Sequence, residues 1–301
     1  MSFSILGREL TNSDTGLKPW LELYFRFPYE VEASHYQIEL LQKPLPDFPH
    51  QLPATILELP EAKLEMRSFE DQFWFGTPES GMRFTFEDSI SKLEWWGTEI
   101  PFNALFIGIC EGLRLSGLVS LHASIAAKNG LATAFLGPSG RGKTTTLLRA
   151  SIAGWQIVAE DFSWLIPETM QLYGFDRGLR LLPDTAKIFK QHHQDIELLE
   201  MIAGKYVVPY EQLGVKRQAV KLERLAVLER NPDAPSSWKV LPKREGALAL
   251  WEAGGVPFTP QAQHFISSTI PKLLTRLKLE TLLLGQGELP LGNTELSQHS
   301  S

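Results

Sequence analysis

The sequence predicts an α+β protein in two parts. Residues 1–102 read as a mainly antiparallel β domain, residues 103–284 as a domain built around a strand, a glycine loop and a helix, and 285–301 as a polar tail. Three observations predict this. The first hundred residues carry short runs in which apolar and polar side chains alternate, the period of a half-buried strand. The run Gly137-Pro138-Ser139-Gly140-Arg141-Gly142-Lys143-Thr144 joins an apolar stretch, 131–136, to a helical one. A second apolar stretch, 155–159, ends on the adjacent carboxylates Glu160 and Asp161.

In chain order, residues 21–27 alternate as a strand, and 82–87 do the same. Shorter alternating runs lie at 36–41, 56–59, 63–66 and 73–75, punctuated by proline, glycine and acidic residues. Of Trp95 and Trp96, one is expected in a core and the other at a domain contact. Asn103 is placed to cap a helix over 104–115 that ends near Gly117 and bridges the two halves. A strand over 118–127 then turns at Lys128-Asn129-Gly130 into the strand that feeds the glycine loop. The loop's helix, 144–153, closes on Gly154. Strands at 155–159 and 162–166 follow, with helices expected over 185–201 and 270–284 and a disordered tail from Gly285.

Composition excludes several classes. The 301 residues carry a formal net charge of −6, which argues against a nucleic-acid partner, since binding a phosphate backbone needs a basic face. No apolar run of about eighteen residues suggests a membrane span, and the first residues lack a basic segment followed by an apolar one. The single cysteine, Cys110, lies in an apolar stretch and reads as a buried structural thiol; a reducing cytoplasm is the expected compartment. His192-His193 has no companion ligands at metal-binding spacing and reads as a solvated helix face.

The chemistry concentrates at 137–144. Gly137, Gly140 and Gly142 let the backbone curl so that successive N–H groups face phosphate oxygens, with Pro138, Ser139 and Arg141 between them. Lys143 reaches the β- and γ-phosphates, Thr144 supplies a hydroxyl to Mg²⁺, and Thr145 continues the contact into the helix. The helix N-terminus adds its partial positive charge. Glu160 and Asp161 stand where an acid meets the metal or the attacking group, and the hairpin before the loop brings His122 beside the phosphates.

Together, His122-Ala123-Ser124, the loop 137–144 and the segment Gly154-Trp155-Gln156-Ile157-Val158-Ala159-Glu160-Asp161 resemble the HPr kinase/phosphorylase family, whose core is similar to phosphoenolpyruvate carboxykinase. The resemblance covers 116–166 well and the rest of the C-terminal half loosely. It implies an ATP- and Mg²⁺-dependent serine kinase. Asp161 would be the general base on the acceptor hydroxyl, and Lys143 would neutralise the transferring group. Thr144 would hold the metal, with Glu160 as an auxiliary ligand where the family has aspartate, and His122 would contact phosphate or orient the acid. Arg224 stands where the family carries a catalytic arginine, but without its Pro-Gly-Arg-Asn turn. Arg177-Gly178-Leu179 matches another family segment, with Arg180 in place of its last glycine and Phe175 in place of a metal-ligating glutamate, Asp176 beside it.

These departures imply a different acceptor: a peptide or small protein bearing a serine. Compact relatives of this type tailor ribosomally made peptides, lasso peptides among them. The N-terminal sheet would then hold an extended acceptor at its edge. A kinase of a small-molecule hydroxyl and a non-catalytic nucleotide-binding sensor remain as alternatives, and the carboxykinase reaction lacks its arginine-lined site. Oligomeric state is open, a homo-oligomer included.

Overall fold

The computed structural model describes residues 2–44, 47–58, 63–138, 140–202, 204–286 and 289–291. Ser139, Leu59 at the end of the expected 56–59 strand, and most of the 285–301 tail lie outside the described residues.

β1 (Ser2–Ile5) and β2 (Arg8–Asn12) form a hairpin, and a 3-10 turn leads into α1 (Lys18–Phe25). Then come β3 (Gln37–Gln42), β4 (Thr55–Glu58), β5 (Lys63–Phe69), β6 (Gln72–Gly76), β7 (Gly81–Glu87), β8 (Ile90–Trp96) and α2 (Phe102–Leu115). The eight strands form one sheet in the order β1-β2-β3-β8-β7-β6-β5-β4. The pairs β2–β3 and β3–β8 are parallel and the others antiparallel. The first parallel pair exists because α1 carries the chain across between β2 and β3.

α2 lies close on this sheet because it turns glycines toward it. A Cβ on Gly108 would stand 2.6 Å from Leu93 Cδ2, and one on Gly112 would stand 3.1 Å from Ser91 Oγ. Trp96 is buried with Phe48 and Trp74, and its Nε1 donates to the Thr77 carbonyl. Trp95 is buried too. Cys110 is buried, and burial pushes its thiol up to about 12.

The second part of the chain holds β9 (Val119–Leu121), β10 (Ser124–Lys128), β11 (Leu131–Leu136), α3 (Lys143–Ile152), β12 (Gln156–Ala159), β13 (Ser163–Ile166) and β14 (Gln171–Gly174). It continues with β15 (Gly178–Leu181), α4 (Pro183–His192), β16 (Leu199–Ile202), β17 (Lys205–Pro209) and β18 (Val220–Pro235). β19 (Ser237–Val240), α5 (Lys243–Ala253), α6 (Pro260–Arg276) and β20 (Lys278–Gln286) complete it. The main sheet runs β12-β10-β11-β18-β14-β13-β9, with β20 paired to β18 and β19; β15, β17 and β16 form a separate three-stranded sheet. Leu147, Leu148 and Ala150 of α3 share one core with Phe135 and Ile157 of the main sheet and with Leu179, Leu181 and Val208 of the small one.

By its contacts the chain divides into two units, 1–118 with 257–265, and 119–256 with 266 onward. The sequence sets the boundary at 102. α2 joins the first unit because its glycine face packs on the first sheet, and no composition shift announces the returning segment 257–265.

Four expectations need correction. Residues 21–27 are not a strand: α1 covers most of them and buries Leu21 and Phe25, one turn apart. Asn103 does not cap α2, which starts at Phe102 after Pro101 with no side-chain cap. The expected helix at 270–284 is the end of α6 followed by β20, a strand parallel to β18 and antiparallel to β19 that buries Leu282 and Leu283. The helix expected over 185–201 is α4, which stops at His192 before β16.

Candidate active site

The site is assembled by strand direction. β10 is antiparallel to both β11 and β12, so the latter two run the same way and end at the same sheet edge. From the end of β11 the chain enters the glycine loop, and from the end of β12 it enters Glu160-Asp161. β10 starts at this edge, which puts His122 there as well. The expected strand over 118–127 is broken at His122-Ala123, where β9 leaves for β13 and β10 pairs with β11. In the break, His122 N–H donates to the Ala253 carbonyl and Ala123 N–H to that of Asp161. The turn at the far end of β10 needs left-handed backbone at Asn129 (φ 54°) and Gly130 (φ 78°), the signature of a two-residue hairpin.

The loop bends at Gly137, Gly140 and Gly142, with φ of 148°, 79° and 100°, and α3 starts at Lys143. The Lys143 ammonium donates to the Gly137 carbonyl at 2.7 Å, with the Pro138 carbonyl at 3.4 Å. Burial lowers its pKa, while Asp161 and Glu160 act the other way. Arg141 closes the loop with its N–H on the Pro138 carbonyl. Thr145 Oγ1 lies 3.1 Å from Thr185 Oγ1 of α4. α3 ends as the sequence suggests: Gly154 has φ 80°, its N–H reaches the Ser151 carbonyl, and Trp155 N–H reaches that of Ala150.

Around the loop, Thr144 Oγ1 donates to Glu160 Oε1 at 2.6 Å. His122 Nε2 lies 3.0 Å from Asp161 Oδ1. Arg180, from β15, sits with Nε 3.2 Å from Glu160 Oε2 and hydrogen-bonds Asp161 Oδ2 through Nη2. The structure therefore brings together His122, Lys143, Thr144, Glu160 and Asp161. It does not bring Arg224 to them. That guanidinium is buried over the Trp238 ring, 4.8 Å from its centroid, with Nε 2.9 Å from Glu280 Oε2 at an angle outside that of a hydrogen bond.

Three participants carry no role in the sequence reading. Asp176 is buried, and its carboxylate accepts the N–H groups of Glu160, Asp161 and Phe162 at 2.7–3.2 Å. Burial pushes its pKa up to about 7 against those hydrogen bonds. It is a brace for the acidic turn rather than a metal ligand, while Phe175 packs edge-on to Phe162. Arg180 is the second, and the third is Arg230 on β18, which donates to the Gly140 carbonyl at 2.9 Å. With Gly142, Thr145, Arg149 and Leu284, Arg230 lines a cavity of about 380 Å³ beside the start of α3. The signal for Asp176 is its place beside Phe175, where the resembled family carries a metal-ligating glutamate; nothing local marks Arg230.

Among the described residues, no group of three or more His, Cys, Asp and Glu side chains converges as a cation site, and no helix is long and apolar enough to cross a membrane. No model of a known protein family and no curated protein matches the sequence. Among solved structures, the HPr(Ser) kinase/phosphatase from Coxiella burnetii is similar over 56% of this chain and 85% of that chain, at 13% identity and a TM-score of 0.28. A likeness that loose carries no argument about chemistry, which rests on the side chains at the sheet edge.

Proposed function

We propose that the chain is an ATP- and Mg²⁺-dependent kinase that phosphorylates a serine hydroxyl of a peptide or small protein, with Asp161 as general base. One observation carries this reading: a glycine loop with its lysine, a threonine–glutamate oxygen pair and a histidine-bound aspartate converge at one sheet edge. The donor sets fit the groups they would take. Loop N–H groups and the α3 N-terminus favour phosphate. Thr144 and Glu160 offer adjacent hard oxygens of the kind that share Mg²⁺ with phosphate and water. Bound there, the cation would offset phosphate charge.

The chain's own residues supply the rest. The cavity beside Arg149 and Arg230 is a seat for the nucleoside. Lys143, whose present partners are loop carbonyls, has its ammonium free to exchange them for phosphate oxygens. Asp161 takes the seryl proton as the oxygen's electron pair forms the new P–O bond and the bond from the γ-phosphorus to the β–γ bridging oxygen breaks, that electron pair leaving with ADP, while His122 holds the carboxylate in place. For the acceptor, β4 is an exposed edge strand with one paired side, suited to an added extended peptide; a lasso-type peptide is one such substrate.

With γ-³²P-labelled ATP, magnesium and serine-containing peptides, the wild type is expected to label peptide. Asp161→Asn should lose about 10²-fold or more of that transfer while still binding ATP. Transfer by this variant at the wild-type rate would remove Asp161 as the base. A second reading, a nucleotide-binding sensor, is favoured by the engagement of both Asp161 oxygens by the chain's own donors. ATP consumption that no acceptor stimulates would favour the sensor.

A further inference from the structure

Arg180 has no task in the reading above. Its strand neighbours Leu179 and Leu181 are buried in the core, whereas its own side chain is 46% exposed and faces the acidic turn. One guanidinium spans two carboxylates of successive residues, Glu160 and Asp161. The remaining oxygen of each is met by Thr144 Oγ1 and by His122 Nε2. Each of the four carboxylate oxygens thus has one of this chain's own polar side chains beside it, and a divalent cation that reaches Glu160 meets the charge of Arg180 already there. Burial acts against the arginine's charge, but Asp161, Glu160 and Asp176 outweigh it and hold its pKa above the ordinary value.

We propose that Arg180 is a phosphate-binding residue which, in the nucleotide-free protein, serves as the counter-cation of Glu160 and Asp161, and which yields Glu160 to the metal when metal and nucleotide enter together. The inference rests on the nucleotide reading above. Its basis is charge balance. A bare divalent cation would add two positive charges where Arg180 and Lys143 already balance the two acids, and would leave the guanidinium Nε without the Glu160 oxygen it now meets. A metal–nucleotide complex brings phosphate oxygens, which match the planar fork of an arginine that has released a carboxylate. Lys143 feels the same two carboxylates, so the phosphates would meet both cations at one place.

The test uses the full chain. Mn²⁺, a spectroscopic stand-in for Mg²⁺, is titrated by electron paramagnetic resonance into nucleotide-free protein, and the Mn²⁺ complex of ATP is titrated by calorimetry. Arg180→Ala is expected to bind Mn²⁺ alone about tenfold more tightly and Mn²⁺–ATP about tenfold more weakly than the wild type. The opposite signs are the signature, because a side chain that merely props the site would weaken both. Two affinities that fall together, or that do not move, overturn the proposal. Arg180→Gln, which keeps a hydrogen-bonding amide without the charge, should show the same pair of shifts and carries the test if the alanine variant fails to fold; wild-type values from it would equally overturn the proposal. A wild type that binds no ATP overturns the nucleotide reading itself, and that outcome is read without any variant.

Discussion

Asp176 shows how one buried carboxylate can set the geometry of two others. Three consecutive N–H groups, of Glu160, Asp161 and Phe162, converge on its oxygens, so the turn that aims the acidic pair is fixed from behind. Asp176→Asn keeps the shape but replaces one acceptor oxygen with an NH₂ group facing N–H donors. Losing charge-assisted hydrogen bonds and leaving buried donors unpaired is expected to destabilise the fold by about 2–4 kcal/mol. The loosened turn should also shift the His122 ring signals in NMR spectra, since His122 Nε2 depends on Asp161 for its partner. Urea denaturation with an unchanged midpoint would show that the brace is dispensable. The sequence names the acids but not the brace, because Asp176 is fifteen residues from Asp161 and only the β12–β14 packing unites them. Arg224 errs in the opposite direction. The family resemblance points to it by position, but its charge is met locally by Glu280 and its flat face by Trp238.

At the scale of elements, close backbone approach decides what surrounds the site. Gly174 ends β14, and a Cβ there would stand 1.8 Å from the Val158 carbonyl oxygen, a backbone atom that cannot rotate away. Gly174→Ala must therefore push β14 from β12, immediately before Glu160. Overpacking of this kind is expected to lower stability by about 1–3 kcal/mol or more and, on the nucleotide reading proposed above, to weaken ATP binding in parallel. A thermal melt and a nucleotide titration on the same sample check both; a variant with wild-type values in each would mean that the strands part without cost. The strands around the loop were legible because each is short, apolar and bounded by turn residues, and β11 falls on 131–136 as expected. Elsewhere, period alone failed. Residues 21–27 alternate, yet Leu21 and Phe25 also satisfy a helix's i, i+4 spacing, and Pro19 near the helix start favours α1. In β20 only Leu282-Leu283-Leu284 are consecutive apolar residues, a short run that period alone cannot assign to strand or helix; the β18 ladder settles it as strand.

For the whole molecule, the consequential feature is that the first unit is not continuous in sequence. The returning segment brings Phe258 among Phe73, Phe75 and Phe84, with ring centroids 5.1–5.2 Å away and edge-on geometry to each. It also brings Phe258 N–H, Thr259 N–H and Thr259 Oγ1 to Glu111 Oε1, the carboxylate of a fully buried residue of α2 whose other oxygen meets Arg114 at 3.0 Å. A fragment ending at Leu118 would keep all eight strands of the first sheet but leave an aromatic pocket open to water. Glu111 would lose every partner that the segment supplies. Breaking a buried, hydrogen-bonded charge costs about 3–5 kcal/mol, and removing a packed phenylalanine adds a comparable amount, which together approach the whole stability of a domain of this size. Fragment 1–118 is therefore expected to show poorly dispersed amide signals and no cooperative melt. In the full chain, Phe258→Ala should lower stability by about 2–4 kcal/mol, measured by urea denaturation, without abolishing the fold. A fragment 1–118 that melts cooperatively at the full chain's temperature would show that the first sheet and α2 suffice, and that the returning segment is an attachment rather than part of the core.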